Sequence, residues 1–267
     1  MPELPEVETI KNQLKHRIAG RRILRVRAPD PRVIKGCTFS EFRTRIEGLL
    51  VRNVSRRGKA LLVALDGAQF LLMHLRISGW VEVSRGEEKY TRVQMEMEDG
   101  GILHFCDTRA LGELRLFRRG QPVPFLAKMG PDPLALSARE FCGLFAGRKG
   151  RIKPLLMNQR FLAGVGNIYA QEALFCAKVH PARPADDLSG RELKRLYRCL
   201  LKLLRHAITC RGTSVDTFRQ ISGEKGRYVC FLKVYRRQGK ECPRCGARIR
   251  QTRIGARGTA FCPRCQQ

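Results

Sequence analysis

Four cysteines near the C-terminus constrain this chain more than any other feature. Cys242-Pro-Arg-Cys245 and Cys262-Pro-Arg-Cys265 form two matched pairs with sixteen residues between them. Each pair turns two thiolates toward one point, and two such turns at this separation supply a four-sulfur site of the structural zinc type. Either pair alone would equally suit thiol redox chemistry; the duplication favours one structural Zn2+. With a thiolate at all four positions no place is left for water, so the metal is not catalytic. The span from Ala247 to Phe261 is then expected to be a β-hairpin, with Arg257 near its tip between Ala256 and Gly258.

The remaining seven cysteines, at 37, 106, 142, 176, 199, 210 and 230, are scattered, mostly among apolar neighbours. An odd total of eleven, in a chain of this size without a basic leader and apolar core, argues for thiols packed in a core within a reducing compartment.

The chain has 52 Lys and Arg against 24 Asp and Glu, a formal net charge of +28 spread over 267 residues. Such an excess predicts a polyanionic partner, since every phosphate neutralised releases counterions. No apolar run approaches the ~20 residues of a spanning helix. Nucleic acid is therefore favoured over membrane.

Met1-Pro2-Glu3-Leu4-Pro5-Glu6 opens the chain. Removal of Met1 would leave the secondary amine of Pro2 at the terminus, with carboxylates one and four positions behind it. An α-amine titrates near pH 8 and a lysine near 10.4, so far more of the terminal amine is unprotonated at neutral pH. A secondary amine attacking the C1′ acetal carbon of a deoxynucleotide can expel the base. The ring can then open to a cationic iminium that acidifies the neighbouring C–H and leads to loss of the 3′ phosphate. Such chemistry needs an acid for the sugar oxygen or leaving group, and Glu3 is nearest. The same residues also suit the start of a helix with Val7, Ile10, Leu14 and Ile18 on one face. Both readings are compatible, because a packed helix would hold the amine rigidly.

From Arg21 to Phe117 the pattern is β. Lys59–Leu65 turning at Asp66-Gly67 into Gln69–Leu75 is one hairpin, and Val93–Glu98 turning at Asp99-Gly-Gly101 into Ile102–Phe105 is another. Successive hairpins imply an antiparallel sandwich or barrel. The basic turn Ser55–Lys59 is either a solvated turn or a rim that offers Lys59 to a phosphate. Two loops, His74–Gly79 and Asp107–Gly112, set polar groups beside apolar ones.

Pro131-Asp-Pro133 breaks the chain, and beyond it the pattern becomes helical. Ser137-Ala-Arg-Glu140 and Ser189-Gly-Arg-Glu192 are capping boxes, the second opening a long helix striped by Leu193, Leu196, Leu200, Leu203 and Leu204. Gly164-Val-Gly-Asn-Ile-Tyr-Ala170 lies between them. Its glycines allow close backbone approach, and Asn167 would cap a helix whose free N–H groups make an anion site, unless the motif is only a tight helical corner. Lys153, just upstream, would add a phosphate contact.

Taken together, Pro2-Glu-Leu-Pro-Glu-Val-Glu8, Lys59, the motif 164–170 and the cysteine quartet with Arg257 resemble the bacterial formamidopyrimidine-DNA glycosylase family nearly end to end. The resemblance implies an α+β multidomain fold. Its parts are an N-terminal antiparallel β-sandwich with a leading helix over 1–130, a helix-two-turn-helix domain over 131–230 and a four-cysteine zinc finger over 231–267. It implies a bifunctional glycosylase and abasic-site lyase for oxidised purines, acting by β,δ-elimination on double-stranded DNA that carries oxidised bases or abasic sites. A monomer in the bacterial cytoplasm, associated with the nucleoid through DNA and not with a membrane, is implied as well. Pro2 would be the nucleophile, Glu3 the proton donor and Glu6 a support of the pocket. Lys59 and Arg257 would grip phosphates and donate protons in the β- and δ-eliminations. His74, Arg109, Lys153 and Asn167 would contact DNA, and Cys242, Cys245, Cys262 and Cys265 would hold the metal. The loop that closes over the extruded base is matched only loosely, by Gly212-Thr213 through Tyr228.

The chain departs from the family's pattern at the wedge that fills the space of the extruded nucleotide. Where methionine, arginine and phenylalanine are common, it has Ile77, Arg109 and Leu111. The aliphatic residues still suit a wedge but offer less stacking surface. Altered lesion or opposite-base preference is one consequence. A damaged-DNA binder without turnover and an RNA-binding zinc-ribbon protein are the alternatives, the last of which leaves the N-terminus unexplained.

Overall fold

The computed structural model describes residues 1–267. The chain forms two compact units, one of Met1–Ala127 with Cys210–Arg227, the other of Lys128–Thr209 with Tyr228–Gln267.

The first unit begins with α1 (Leu4–Ile18), which has proline in its first turn and Lys15, His16 and Arg17 in its last, as the helix dipole favours. Its Leu4, Val7, Ile10, Leu14 and Ile18 are buried, each worth about 2 kcal/mol of transfer from water. After it come β1 (Ile23–Arg27), α2 (Phe39–Ile46), β2 (Val51–Arg57), β3 (Ala60–Leu65), β4 (Gln69–His74), β5 (Gly79–Ser84), β6 (Thr91–Met97), β7 (Ile102–Asp107), β8 (Glu113–Arg118) and the single turn α3 (Pro124–Ala127). The strands make two antiparallel four-stranded sheets, ordered β1-β6-β7-β5 and β2-β3-β4-β8. Val54, Leu61, Val63 and Met73 from one sheet meet Val81, Val93, Met95 and Phe105 from the other in a core closed by α1. Alternation of buried and open residues along β6 shows the period of two that turns one face inward.

Two features of this unit differ from the sequence-based expectation. Helix α2 interrupts the β region, begun by a capping box in which Thr38 Oγ1 accepts from the Glu41 N–H and Glu41 accepts from the Thr38 N–H. Residues 210–227, expected to belong to the helical domain, fold back here: Phe218 and Ile221 enter the core, Val83 N–H donates to Ile221 O, and Gln13 donates to Gln220.

In the second unit, α4 (Ala138–Gly143), α5 (Ile152–Met157), α6 (Asn167–Cys176) and α7 (Gly190–Thr209) precede a hairpin of β9 (Arg250–Ile254) and β10 (Arg257–Phe261). Both expected capping boxes are present, at Ser137 and at Ser189. Along α7 the buried residues are Leu193, Leu196, Tyr197, Leu200, Leu204 and Ala207, so the apolar stripe passes to one side of Leu203. Cys176 of α6 and Cys199 of α7 are joined by a disulfide, which corrects the reading of the scattered cysteines as packed thiols. Of the unpaired ones outside the quartet only Cys106 is buried. No helix is long and apolar enough to cross a membrane.

Candidate active site and nucleic-acid interface

Helix α1 points its N-terminus, with the stretch Pro2 to Glu6, into a buried polar corner of the first unit. Pro2, Glu3, Glu6, Lys59 and His74 are all buried there or beside it. Glu6 organises the corner: one carboxylate oxygen accepts the Glu3 N–H at 2.8 Å, and the other accepts the Thr213 N–H at 2.8 Å. The returning segment thus forms part of the wall around the terminus. Burial lowers the α-amine pKa of Met1 below its usual value, against the pull of Glu3, Asp216 and Glu6 and with help from Lys59. A lowered amine pKa raises the fraction present as nucleophile. That amine lies one residue out from the nitrogen that Pro2 would expose after loss of Met1.

Lys59 follows Gly58, whose φ of 57° closes the β2–β3 turn. The turn is stiffened by Arg56, which donates to Gly58 O at 2.9 Å and to Glu8 of α1 at 2.8 Å. His74 stands opposite Ala60, the residue after Lys59, in the β3–β4 ladder. Burial, together with the positive charges of Arg76 and Lys59, pushes its imidazole down to about 4. Its Nδ1 accepts the Arg76 N–H at 3.1 Å, so the neutral ring carries its proton on Nε2 and can donate one hydrogen bond there.

Ile77 and Leu111 are 49 % and 48 % exposed, high for aliphatic side chains. Each follows a non-glycine residue in the left-handed region, Arg76 (φ 52°) and Ala110 (φ 51°), which costs about 1 kcal/mol apiece. Arg109 lies on the second of these loops and donates through Nε to Ser78 Oγ on the first, at 3.2 Å.

In the second unit Gly166, not Asn167, is the N-cap of α6, and Asn167 is its first residue without a side-chain cap. The Asn167 amide instead donates to Gly258 O at 3.3 Å, leaving its Oδ1 buried without a partner. One step further along α6, Gln171 accepts the Ala260 N–H at 2.7 Å and donates to Gly258 O at 3.2 Å, fixing β10 against the helix. Asn167, Gln171, Tyr235, Arg236, Gln238, Gln251, Gly258 and Ala260 surround a polar hollow of about 260 Å³. Arg257 stands exposed at the start of β10, after a two-residue turn in which Gly255 and Ala256 both have positive φ. Lys153 is wholly buried and donates to Thr259 Oγ1 at 2.7 Å, so it braces the finger strand instead of lying open to a phosphate. Sequence reasoning missed Gln171, and it named Thr213 and spanned Asp216 only as part of a loosely matched loop, without a place beside the N-terminus for either. None belongs to a local motif that would mark it, and only the fold brings each to its partner.

The four finger cysteines place their sulfurs within 4.8 Å of one another, with Cys242 to Cys265 at 3.9 Å and Cys245 to Cys262 at 3.5 Å. Tetrahedral zinc at its usual Zn–S distance of about 2.3 Å needs sulfurs about 3.8 Å apart. The Arg244 and Cys265 N–H groups point at the Cys242 and Cys262 sulfurs and supply the hydrogen bonds that metal-bound thiolates need. The donor set therefore fits one structural Zn2+.

Profiles of known families match along the chain: the formamidopyrimidine-DNA glycosylase N-terminal domain over residues 1–114, its H2TH domain over 129–219, and the zinc finger found in FPG and IleRS over 239–267. The formamidopyrimidine-DNA glycosylase of Symbiobacterium thermophilum is 42% identical, covering 100% of this chain and 89% of the relative. That of Pelotomaculum thermopropionicum is 40% identical, covering 100% and 99%. Among solved structures, a complex between Lactococcus lactis Fpg and DNA containing an abasic site has a TM-score of 0.91 at 34% identity, over 99% of both chains. A complex of the same enzyme with Fapy-dG DNA has a TM-score of 0.90 at 33% identity, over 99% of this chain and 100% of the other.

Proposed function

The chain belongs to the formamidopyrimidine-DNA glycosylase family, and on that footing we propose that it excises oxidised purines from duplex DNA and then cleaves the strand at the abasic site. The observation that carries this reading is Pro2, buried at the N-terminus of α1 in one corner with the buried Glu3, Glu6 and Lys59.

After removal of Met1 the Pro2 nitrogen attacks C1′ of an extruded nucleotide, because that carbon is closed to attack inside the base stack. The N–C1′ bond forms as the C1′–base bond breaks, and the base departs with a proton. Glu3 protonates the sugar ring oxygen, the ring opens and the nitrogen lone pair completes an iminium. Loss of a C2′ proton expels the 3′ phosphate, a second elimination expels the 5′ phosphate, and water releases the sugar fragment from the amine. Glu6 holds the Glu3 backbone in place. Lys59 and Arg257 bind flanking phosphates and donate protons in the two eliminations, while His74 and Asn167 add neutral hydrogen bonds to the backbone. Arg109 meets the base left without a partner, with Ile77 and Leu111 filling the gap. Zinc, when bound, cross-links the finger and supplies no reaction step.

We place the activity on chromosomal DNA in the bacterial cytoplasm, carried out by a monomer whose N-terminal, helix-two-turn-helix and finger parts act together. The aliphatic pair Ile77 and Leu111 favours a second reading, altered lesion or opposite-base preference. Borohydride trapping tests the core of the proposal. A covalent adduct is expected with duplex containing 8-oxoguanine or an abasic site when Pro2 is terminal, and none when Met1 is retained or a tag precedes it. Full-speed cleavage by protein shown by mass spectrometry to keep Met1 would overturn it.

A further inference from the structure

We infer that the Asp107 carboxylate is the positioning group that locks the two loops carrying Ile77, Arg109 and Leu111 into one rigid pair; this rests on the glycosylase reading of those side chains. One loop runs from β4 to β5 and the other from β7 to β8, so both cross between the two sheets. They cross side by side, because His74 pairs with Glu113 and Gly79 with Asp107.

Asp107 is completely buried at the root of the second loop. One of its oxygens accepts the Ser78 hydroxyl of the first loop at 2.6 Å and the Arg109 N–H of its own loop at 3.0 Å. The other accepts the Gly112 N–H at 2.6 Å. A carboxylate only accepts, so two oxygens can take three donors from both loops at once. Ser78 completes the bracket by accepting from Arg109 Nε.

Packing allows the loops little other freedom. A side chain at Gly112 would meet the Phe105 ring at 2.7 Å and the Asp107 carboxylate at 3.1 Å, and one at Gly79 would meet Leu75 O at 2.6 Å. Gly79 N–H closes the first loop on Leu75 O at 3.0 Å. The bracket holds Arg76 and Ala110 in their left-handed conformations, and with them the outward aim of the two aliphatic side chains. Without it the pair is free to fold back onto the protein, and ordering it again on DNA would weaken binding.

The test uses full-length, zinc-loaded protein with a free Pro2 terminus and 2-aminopurine opposite an abasic site. Asp107→Asn puts an amide NH2 against the Gly112 N–H, and Ser78→Ala removes the link between loops while leaving both backbone bonds to Asp107. Each variant is expected to lose most of the 2-aminopurine fluorescence change on binding and to raise KM for the duplex about tenfold. Trapping on a single-stranded abasic oligonucleotide, which has no stack to enter, should stay within about twofold of the parent. If Asp107→Asn does not fold, Ser78→Ala decides alone. Parental fluorescence and KM in the folded variants overturn the inference, as do equal losses on single and double strands. A parent that forms no adduct at all sinks the catalytic reading, whereas the fluorescence comparison needs only binding and still decides the bracket.

Discussion

Glu6 accepts one N–H from Glu3, three residues back, and another from Thr213, 207 residues ahead. Two backbone bonds from opposite ends of the chain fix this carboxylate in place, which suits it to position the Glu3 backbone. His74 is a titratable group that folding keeps neutral. With a folded pKa of about 4 against an ordinary 6.5, the unfolded chain binds more protons between those values. The stability involved is complete above about pH 6.5 and is lost as pH falls toward 4, to the extent of about 3 kcal/mol. His74→Gln should therefore flatten the pH dependence of the urea midpoint across that window. The depressed His104 and His180 remain in both proteins and cancel in the comparison. Equal slopes for parent and variant would remove His74 from the acid response.

Among the elements, α6 and α7 carry the least expected bond, the disulfide from Cys176 to Cys199 that closes a loop over a separation of 23 residues. A loop of this size contributes about 3 kcal/mol by restricting the unfolded chain. Cys199→Ala should lower the unfolding free energy of the second unit by about that amount relative to oxidised parent, and reductant should lower the parent alone. An unchanged urea midpoint, with two more free thiols titrated in reduced parent, would show the bond to be energetically idle. The pairing was not legible because each cysteine sits in an ordinary helical pattern and nothing local selects a partner. Elements marked by local chemistry were legible: Asp66-Gly67 turns one hairpin, and Ser137 and Ser189 start α4 and α7. Thr38-Phe-Ser-Glu41 carried an equal signal for α2, but the surrounding β pattern masked it. The return of residues 210–227 to the first unit was hidden for the reason that hid Cys176–Cys199. Its anchors, Glu6, Gln13 and Val83, lie far away in the chain.

Across the whole molecule a charge of +28 sets binding by neutralising phosphates, so what distinguishes the parts is how many phosphates each one grips, not its total charge. The finger has a small core in which Cys242 and Cys262 themselves pack with Phe175, Val234, Ile249 and Ala260. Without zinc, four thiols in that core repel as thiolates or take up protons, and too little apolar surface remains to hold the hairpin. The bonds that place Arg257 and Asn167, from Gln171 to β10 and from Lys153 to Thr259, then lose their partner strand. The core of the first unit contains no residue of the finger, and its sheets should persist. Zinc removal by a chelator should therefore leave the β-sheet circular dichroism of the first unit intact while DNA affinity falls steeply. The slope of log affinity against log salt should shrink by about 0.9 for each phosphate that the finger no longer neutralises. Unchanged affinity in protein verified as zinc-free would show that the finger does not position Arg257 and Asn167 on the DNA backbone.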